Sequence, residues 1–168
     1  MFYHFSEDPN ITVFNPRVAA SYPDLPPLVW AIDKEHAPLY FFPRDCPRIA
    51  FWKGQESSRR DCERFISYSQ ADMIIAVEAR WLETIKRTKL YQYSFAPESF
   101  SLFDENAGYY TATTTVQPIT VEPVGDLLNR LIQANVEIRI TPSLKPLSDV
   151  IKNTRLNFSM IRMRNAQV

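Results

Sequence analysis

Aromatic side chains crowd the segment VWAIDKEHAPLYFFPRD, residues 29–45. Trp30 and Tyr40 flank a short turn in this segment, and Phe41 and Phe42 follow directly. Flat rings favour offset or edge-to-face contacts, so they suit either a hydrophobic core or the walls of a slot for a planar ligand. The residues alone leave both interpretations open.

The first strand-like segment, FYHFS, carries a histidine between aromatic neighbours. Alternate side chains of a strand point to opposite faces, so His4 and Ser6 share one face if Tyr3 and Phe5 turn toward the core. His4 is then either a satisfied polar residue or a ring nitrogen that hydrogen-bonds a ligand.

Basic residues occur in two further places. FPRDCPRI, residues 42–49, holds Arg44, Asp45 and Arg48 between two prolines, as a rigid loop with an internal ion pair or as a site where Arg44 grips a pyrophosphate. The tail SMIRMRNA is predicted to be an edge strand with its charges turned outward.

Composition excludes several classes of function. The 168 residues carry 19 basic and 19 acidic side chains, and this balance argues against nucleic acid as a partner. With 3 glycines there is neither a GxGxxG motif nor a phosphate-binding loop. Cys46 and Cys62 form no CxxC motif, and with 2 histidines a zinc site is not expected. Both cysteines are therefore predicted to be free, buried thiols in a reducing compartment.

No stretch of the sequence resembles a signal peptide or a membrane span. The N-terminal segment reaches acidic residues and a proline within its first ten positions. We therefore expect a cytoplasmic protein without a membrane partner.

Strand-like segments outnumber helical ones, without a regular alternation of the two. The length and this pattern predict one globular domain over residues 1–168, of the α+β class, with curved mixed or antiparallel sheets and a few short helices. The expected strands span residues 2–6, 28–33, 48–53, 73–78, 89–96, 109–118, 136–141 and 156–164. The expected helices span residues 79–88, 125–135 and 146–154, with Asp126 and Asn135 as caps of the second. PESFSLFDENAG, residues 97–108, is predicted to be a loop.

Three separated pieces, YHFS, VWAIDKEHAPLY and TVEPVGDLLNRLIQANVEIRI, follow one another in the order of a known signature. This order resembles the His–Tyr–Glu motifs of diphtheria-toxin-class ADP-ribosyltransferases. The resemblance implies an ADP-ribosyltransferase-like fold and NAD as the substrate, with an acceptor that the sequence does not identify. It also implies that His4 and Ser6 bind the NAD, with His4 on the ribose, and that Trp30 and Tyr40 enclose the nicotinamide.

The same resemblance implies a catalytic role for Glu122. Its carboxylate would stabilise the positive centre that develops as the nicotinamide–ribose bond breaks. Glu78 and Glu98 are alternative acids. The competing hypothesis is a non-enzymatic module that binds a ligand or a protein and whose aromatic residues form its core.

The whole chain also resembles a family of small bacterial proteins without an established activity. The resemblance lies in YHFSEDP, in VWAID and EHAPLYFFPRDCPR, and in SMIR and RNA near the end. It implies a compact domain and indicates no mechanism.

Overall fold

A computed structural model describes residues 1–167 of the chain, which divide into two compact units. The first unit comprises Met1–Ala37 and Lys89–Gly125. The second comprises Pro38–Thr88 and Asp126–Val168, of which Val168 lies outside the described residues. The chain therefore passes from one unit to the other three times.

Ten strands and four α-helices form the regular structure of the described chain. The strands are β1 Phe2–Ser6, β2 Val29–Ile32, β3 Arg48–Trp52, β4 Met73–Glu78, β5 Tyr91–Phe95, β6 Ser101–Asp104, β7 Tyr109–Ala112, β8 Thr120–Pro123, β9 Val136–Thr141 and β10 Asn157–Ile161. The helices are α1 Arg59–Phe65, α2 Leu82–Arg87, α3 Leu127–Gln133 and α4 Lys145–Ile151. Short 3-10 turns occupy Ala37–Tyr40, Ala79–Trp81, Pro97–Ser99 and Met163–Asn165. The expected α+β class is confirmed.

The first unit is built on an antiparallel sheet of six strands in the order β6-β7-β2-β1-β5-β8. Val29 and Ala31 point to one face, where they join a cluster around Phe14, Tyr93 and Phe95. Trp30 points to the opposite face, because neighbouring side chains of a strand alternate. Pro123 fits at the end of β8 because an edge strand leaves one row of N–H groups without ladder partners.

The second unit contains a mixed sheet of four strands in the order β10-β3-β4-β9. β4 is buried along its whole length and pairs in parallel with β9. Ile49, Phe51 and Ile74 pack on one face against Leu144 and Ile151, which lie at the two ends of α4. No helix of the described residues is long and apolar enough to cross a membrane.

Helix α3 begins as its sequence predicts. The Asp126 carboxylate accepts a hydrogen bond from the Asn129 backbone N–H at 2.9 Å, which satisfies one of the donors that a helix start leaves open. The cap at the other end is Ala134, and Asn135 follows it in the left-handed conformation, with φ at 56°. The predicted C-cap was therefore one residue too late, in the position where Gly or Asn commonly ends a helix.

The expected loop over residues 97–108 is wrong in its middle. Ser101–Asp104 forms β6, the edge strand beside β7, with a register shift between Leu102 and Asp104. The polar flanks of this piece concealed a strand whose first three side chains are exposed. The turn that follows ends at Gly108, with φ at +71°.

Replacing Gly108 with alanine is expected to lower the free energy of unfolding by about 2 kcal/mol or more. The left-handed backbone alone costs an alanine about 1–2 kcal/mol. The added Cβ would also lie 2.3 Å from His36 Nδ1, which hydrogen-bonds Asp33 Oδ1 at 2.8 Å.

Gly125→Ala is the matched control for this substitution, because φ is +83° and nothing lies within 4 Å of the new Cβ. Urea denaturation of both variants separates backbone strain from the clash with His36. Equal losses of stability in the two variants would show that the clash contributes nothing.

Candidate functional site

The side chain of Glu78, at the end of β4, is fully buried. Its carboxylate accepts hydrogen bonds from the backbone N–H groups of Leu144 at 3.2 Å and Gln167 at 3.0 Å. It also accepts one from Arg80 Nε at 3.1 Å. A buried carboxylate is tolerated only with such partners, so Glu78 fixes three segments of the chain around one point.

Arg80 lies over this carboxylate with its side chain half exposed. Its Nε bonds to Glu78, and its Nη2 donates to the backbone oxygen of Asn165. Among the described residues its remaining nitrogen, Nη1, has no partner. The guanidinium of Arg80 is thus held in one orientation, and its Nη1 still has hydrogens to donate.

The segment after β10 turns sharply at Arg162, whose φ of 55° lies in the left-handed region. A long side chain rarely adopts this conformation, and such strain concentrates at functional sites. The turn is held by Arg162 Nε, which donates to the Arg44 carbonyl at 3.2 Å, and by Asn165 Nδ2, which donates to the Asp45 carbonyl at 2.8 Å. Arg164, between these two residues, is exposed and has no polar partner within residues 1–167.

A cavity of about 490 Å³ opens between these groups, and we call it the arginine–tryptophan pocket. Its lining residues are Asp45, Arg80, Trp81, Arg164 and Asn165. A guanidinium fork matches the oxygens of a carboxylate or phosphate, and the face of an indole stacks on a flat ring. The space is shallow and largely open to solvent, so the chemistry of its lining, and not its volume, indicates what it could bind.

The second unit has a larger cavity, of about 710 Å³, beside α1. Its lining is mixed, and its Arg59 is already paired with Glu63 at 2.7 Å. Size alone would rank this cavity first. We favour the smaller one because both of its arginines line it and keep donors without a partner among the described residues.

The structure separates the predicted residues of the first unit. His4 lies opposite Tyr93, and its ring contacts Phe14 with the centroids 4.9 Å apart. His4 and Ser6 therefore face the hydrophobic cluster, and Tyr3 and Phe5 face the other side of the sheet.

Glu122 lies on the other face of that sheet. It pairs with Gln92, which pairs with Phe5, so its side chain points away from His4. Trp30 shares the face of Glu122, but β1 and β5 lie between their strands, a lateral distance of about 14 Å. The sheet brings neither His4 nor Trp30 together with Glu122.

Trp30 is surrounded by aromatic rings of its own unit. Tyr22 stacks on it with centroids 5.0 Å apart, and Phe103 and Tyr109 meet it edge to face. Its indole nitrogen is the one buried side-chain polar atom of residues 1–167 without a hydrogen-bond partner. An unsatisfied buried donor lowers the stability of the folded state by about 1–3 kcal/mol, and such donors are rare in native structures.

The remaining predicted residues belong to the second unit. The Tyr40 ring lies 5.5 Å from the guanidinium carbon of Arg48. Arg48 is buried and donates to the carbonyl oxygens of Leu39 and Cys46, each at 2.7 Å. Arg44 is exposed and directly precedes Asp45, which lines the pocket.

Neither cysteine forms a disulfide. Burial raises the pKa of the Cys46 thiol to about 12; the positive charge of Arg48 opposes this increase and the negative charge of Glu78 adds to it. Cys62 is partly exposed, so the expectation of two buried thiols is confirmed for Cys46 alone. No cluster of three or more His, Cys, Asp or Glu residues that could hold a metal occurs in the described part of the chain.

Sequence reasoning missed the arginine–tryptophan pocket. Arg80 and Trp81 were expected in a helix, and Arg164 on the outer side of a strand. Instead, Ala79–Trp81 and Met163–Asn165 are 3-10 turns that bring these side chains around one cavity. The sequence signal for this pocket was the pair Arg162 and Arg164 in the tail, and a basic pair alone does not show which segments of the chain lie beside it.

Comparison with known proteins places nearly the whole chain in one family. Residues 3–166 match a family described as "Family of unknown function (DUF6886)". The chain belongs to this family. No curated protein and no solved structure matches the chain significantly. Membership in DUF6886 confirms the family of unknown function expected from the sequence, and its description names no activity.

Proposed function

We propose that this member of DUF6886 is a binding module for a small anionic ligand that carries a flat ring, such as a nucleotide, in the arginine–tryptophan pocket. The observation that carries the proposal is the pair of guanidinium groups with unused donors beside Trp81. Arg80 and Arg164 suit a phosphate or carboxylate, and Trp81 suits the ring.

The buried carboxylate of Glu78 supports a binding role for Arg80. A free arginine loses side-chain entropy when it orders around a ligand. Here Glu78 and the Asn165 carbonyl already hold the guanidinium, so much of that cost is met during folding. Asp45 lines the same pocket and can accept a hydrogen bond from a ligand hydroxyl or amino group.

The alternative of an NAD-cleaving transferase requires His4, Trp30 and Glu122 around one reacting bond. The strand register does not support this arrangement, because His4 faces away from Glu122 and two strands separate Trp30 from Glu122. NAD itself remains a candidate ligand, since its adenylate half has both a flat ring and phosphates.

Titration calorimetry with AMP, ADP and NAD tests the proposal, with adenosine and inorganic phosphate as the separate parts of the ligand. Arg164→Ala is expected to weaken nucleotide binding about 10–100-fold, because a hydrogen bond to a charged group contributes about 1.5–3 kcal/mol. Trp81→Leu is expected to have a similar effect through lost stacking on the base.

Arg60→Ala is the control variant, because Arg60 is an exposed arginine of α1 outside the cavity lining. It should bind nucleotides as the wild type does. The proposal fails if no nucleotide binds at millimolar concentration, or if Arg60→Ala and Arg164→Ala weaken binding equally.

A further inference from the structure

Three aromatic residues of the first unit, Trp30, Phe103 and Tyr109, form a slot that a fourth, Tyr22, fills. The ring of Trp30 is the floor. Phe103 and Tyr109 meet it in edge-to-face contacts, at interplanar angles of 72° and 88° and centroid distances of 4.8 and 5.9 Å. The Tyr22 ring lies parallel to the floor, within 17°, and nearly perpendicular to Phe103.

Tyr22 is a weakly held occupant of this slot. It comes from SYPDLPP, residues 21–27, which forms turns and no strand or helix. The Tyr22 side chain makes no hydrogen bond within the described residues, and 37% of the residue is exposed. The backbone of Tyr22 is held in its turn by hydrogen bonds to Ala19 and Leu25, but its ring covers Trp30 through ring contact alone and can rotate away without breaking a side-chain hydrogen bond.

The surroundings of the slot carry negative charge. Asp104 pairs with Tyr109 across β6 and β7, and Tyr109 meets Trp30 edge to face, so an acidic side chain lies at the strand pair beside the slot. Burial raises the pKa of Tyr22, and Tyr109 and the carboxylate of Asp104 raise it further. The neutral Tyr22 phenol makes no hydrogen bond to the Asp104 carboxylate and does not neutralise its charge. A positively charged occupant would gain from it and from the electron-rich ring faces.

We propose that this slot binds a compact organic cation, of the quaternary ammonium class, which displaces the Tyr22 ring from Trp30. One flat floor with upright aromatic walls is the geometry in which such cations are recognised. Asp104 supplies the complementary charge at the slot. The proposal is independent of the nucleotide pocket, which lies in the other unit and suits the opposite charge.

The distribution of the chain's own cations agrees with this assignment. Five rings of the second unit have an arginine over them: Tyr40, Phe41, Phe42, Phe51 and Phe65. Within the described residues no cation lies over Trp30, Tyr22 or Phe103.

The test uses choline and its neutral isostere 3,3-dimethyl-1-butanol, which has the same shape without the charge. Calorimetry with the full chain is expected to show choline binding at least tenfold tighter than binding of the isostere. Tyr22→Ala opens the slot and should tighten choline binding at least tenfold. Tyr68→Ala, at a fully exposed tyrosine, should leave it unchanged.

Asp104→Asn keeps the proposal falsifiable if the Tyr22 variant folds poorly. An asparagine retains the side-chain oxygen that accepts from the Ala107 N–H at 3.1 Å, so the turn after β6 persists. This variant should weaken choline binding at least threefold and leave the isostere unaffected. Equal affinities for choline and the isostere in the wild type, or unchanged choline binding in both variants, would overturn the proposal.

Discussion

Replacing Glu78 with alanine is expected to lower the free energy of unfolding by about 3–5 kcal/mol, the largest loss of stability that we anticipate for one polar side chain. The substitution removes the acceptor of the Leu144 and Gln167 N–H groups and of Arg80 Nε. Buried donors without an acceptor each carry a desolvation cost. Urea denaturation followed by far-UV circular dichroism measures the loss.

Glu83→Ala is the matched control for the Glu78 substitution. Glu83 is 73% exposed and pairs with Lys86 at the surface, so its removal should change the stability by less than about 0.5 kcal/mol. Glu78→Gln preserves the shape and one acceptor oxygen, and it should lie between the wild type and Glu78→Ala. A Glu78→Ala variant within 1 kcal/mol of the wild type would contradict the assignment.

Cys46 should resist thiol reagents in the folded protein by roughly a hundredfold at pH 8, because its low thiolate fraction outweighs the higher nucleophilicity of a high-pKa thiolate. A free cysteine, with a pKa near 8.5, is substantially thiolate at this pH, and the thiolate is the reacting form. With a pKa of about 12, Cys46 is thiolate in only about one molecule in ten thousand. Burial of the side chain adds a steric barrier.

The measurement is the rate of labelling by an aromatic disulfide with and without denaturant. Cys62→Ser should leave a folded protein whose remaining thiol reacts only after unfolding. Cys46→Ala is the complementary variant and should keep the rapid reaction of Cys62, which is partly exposed. A Cys62→Ser variant that is labelled in the folded state within tenfold of the unfolded rate would refute the prediction.

Sequence patterns predicted the elements whose burial follows a simple rule. The apolar run MIIAVE forms β4 with the expected bounds, and VEIRIT forms β9. Asp126 caps α3 because its carboxylate accepts a hydrogen bond from a backbone N–H that has no acceptor within the helix. β6 escaped detection because an edge strand need not bury a face, so its residues carry no alternating signal.

The candidate site was less predictable because it depends on contacts that are distant in sequence. The sequence offers Glu78 as an alternative catalytic acid, but in the structure its carboxylate accepts hydrogen bonds from residues 80, 144 and 167. The left-handed backbone at Arg162, which ends β10 early, has no signature in the residue type. The sequence groups Trp30 with Tyr40 and the two phenylalanines that follow it, whereas its ring neighbours in the structure come from segments that the sequence did not connect.

Because the chain alternates between its two units, strands that pair in the second unit are synthesised at widely separated times. β4 needs β3 on one side and β9 on the other, and β9 begins only at Val136, after the last return from the first unit. At roughly 5–20 residues per second on the ribosome, several seconds separate the synthesis of β4 from that of β9, and during this time one edge of the apolar strand β4 has no partner. During translation this edge is the place where one nascent chain can pair with another, and where a chaperone would have most to protect.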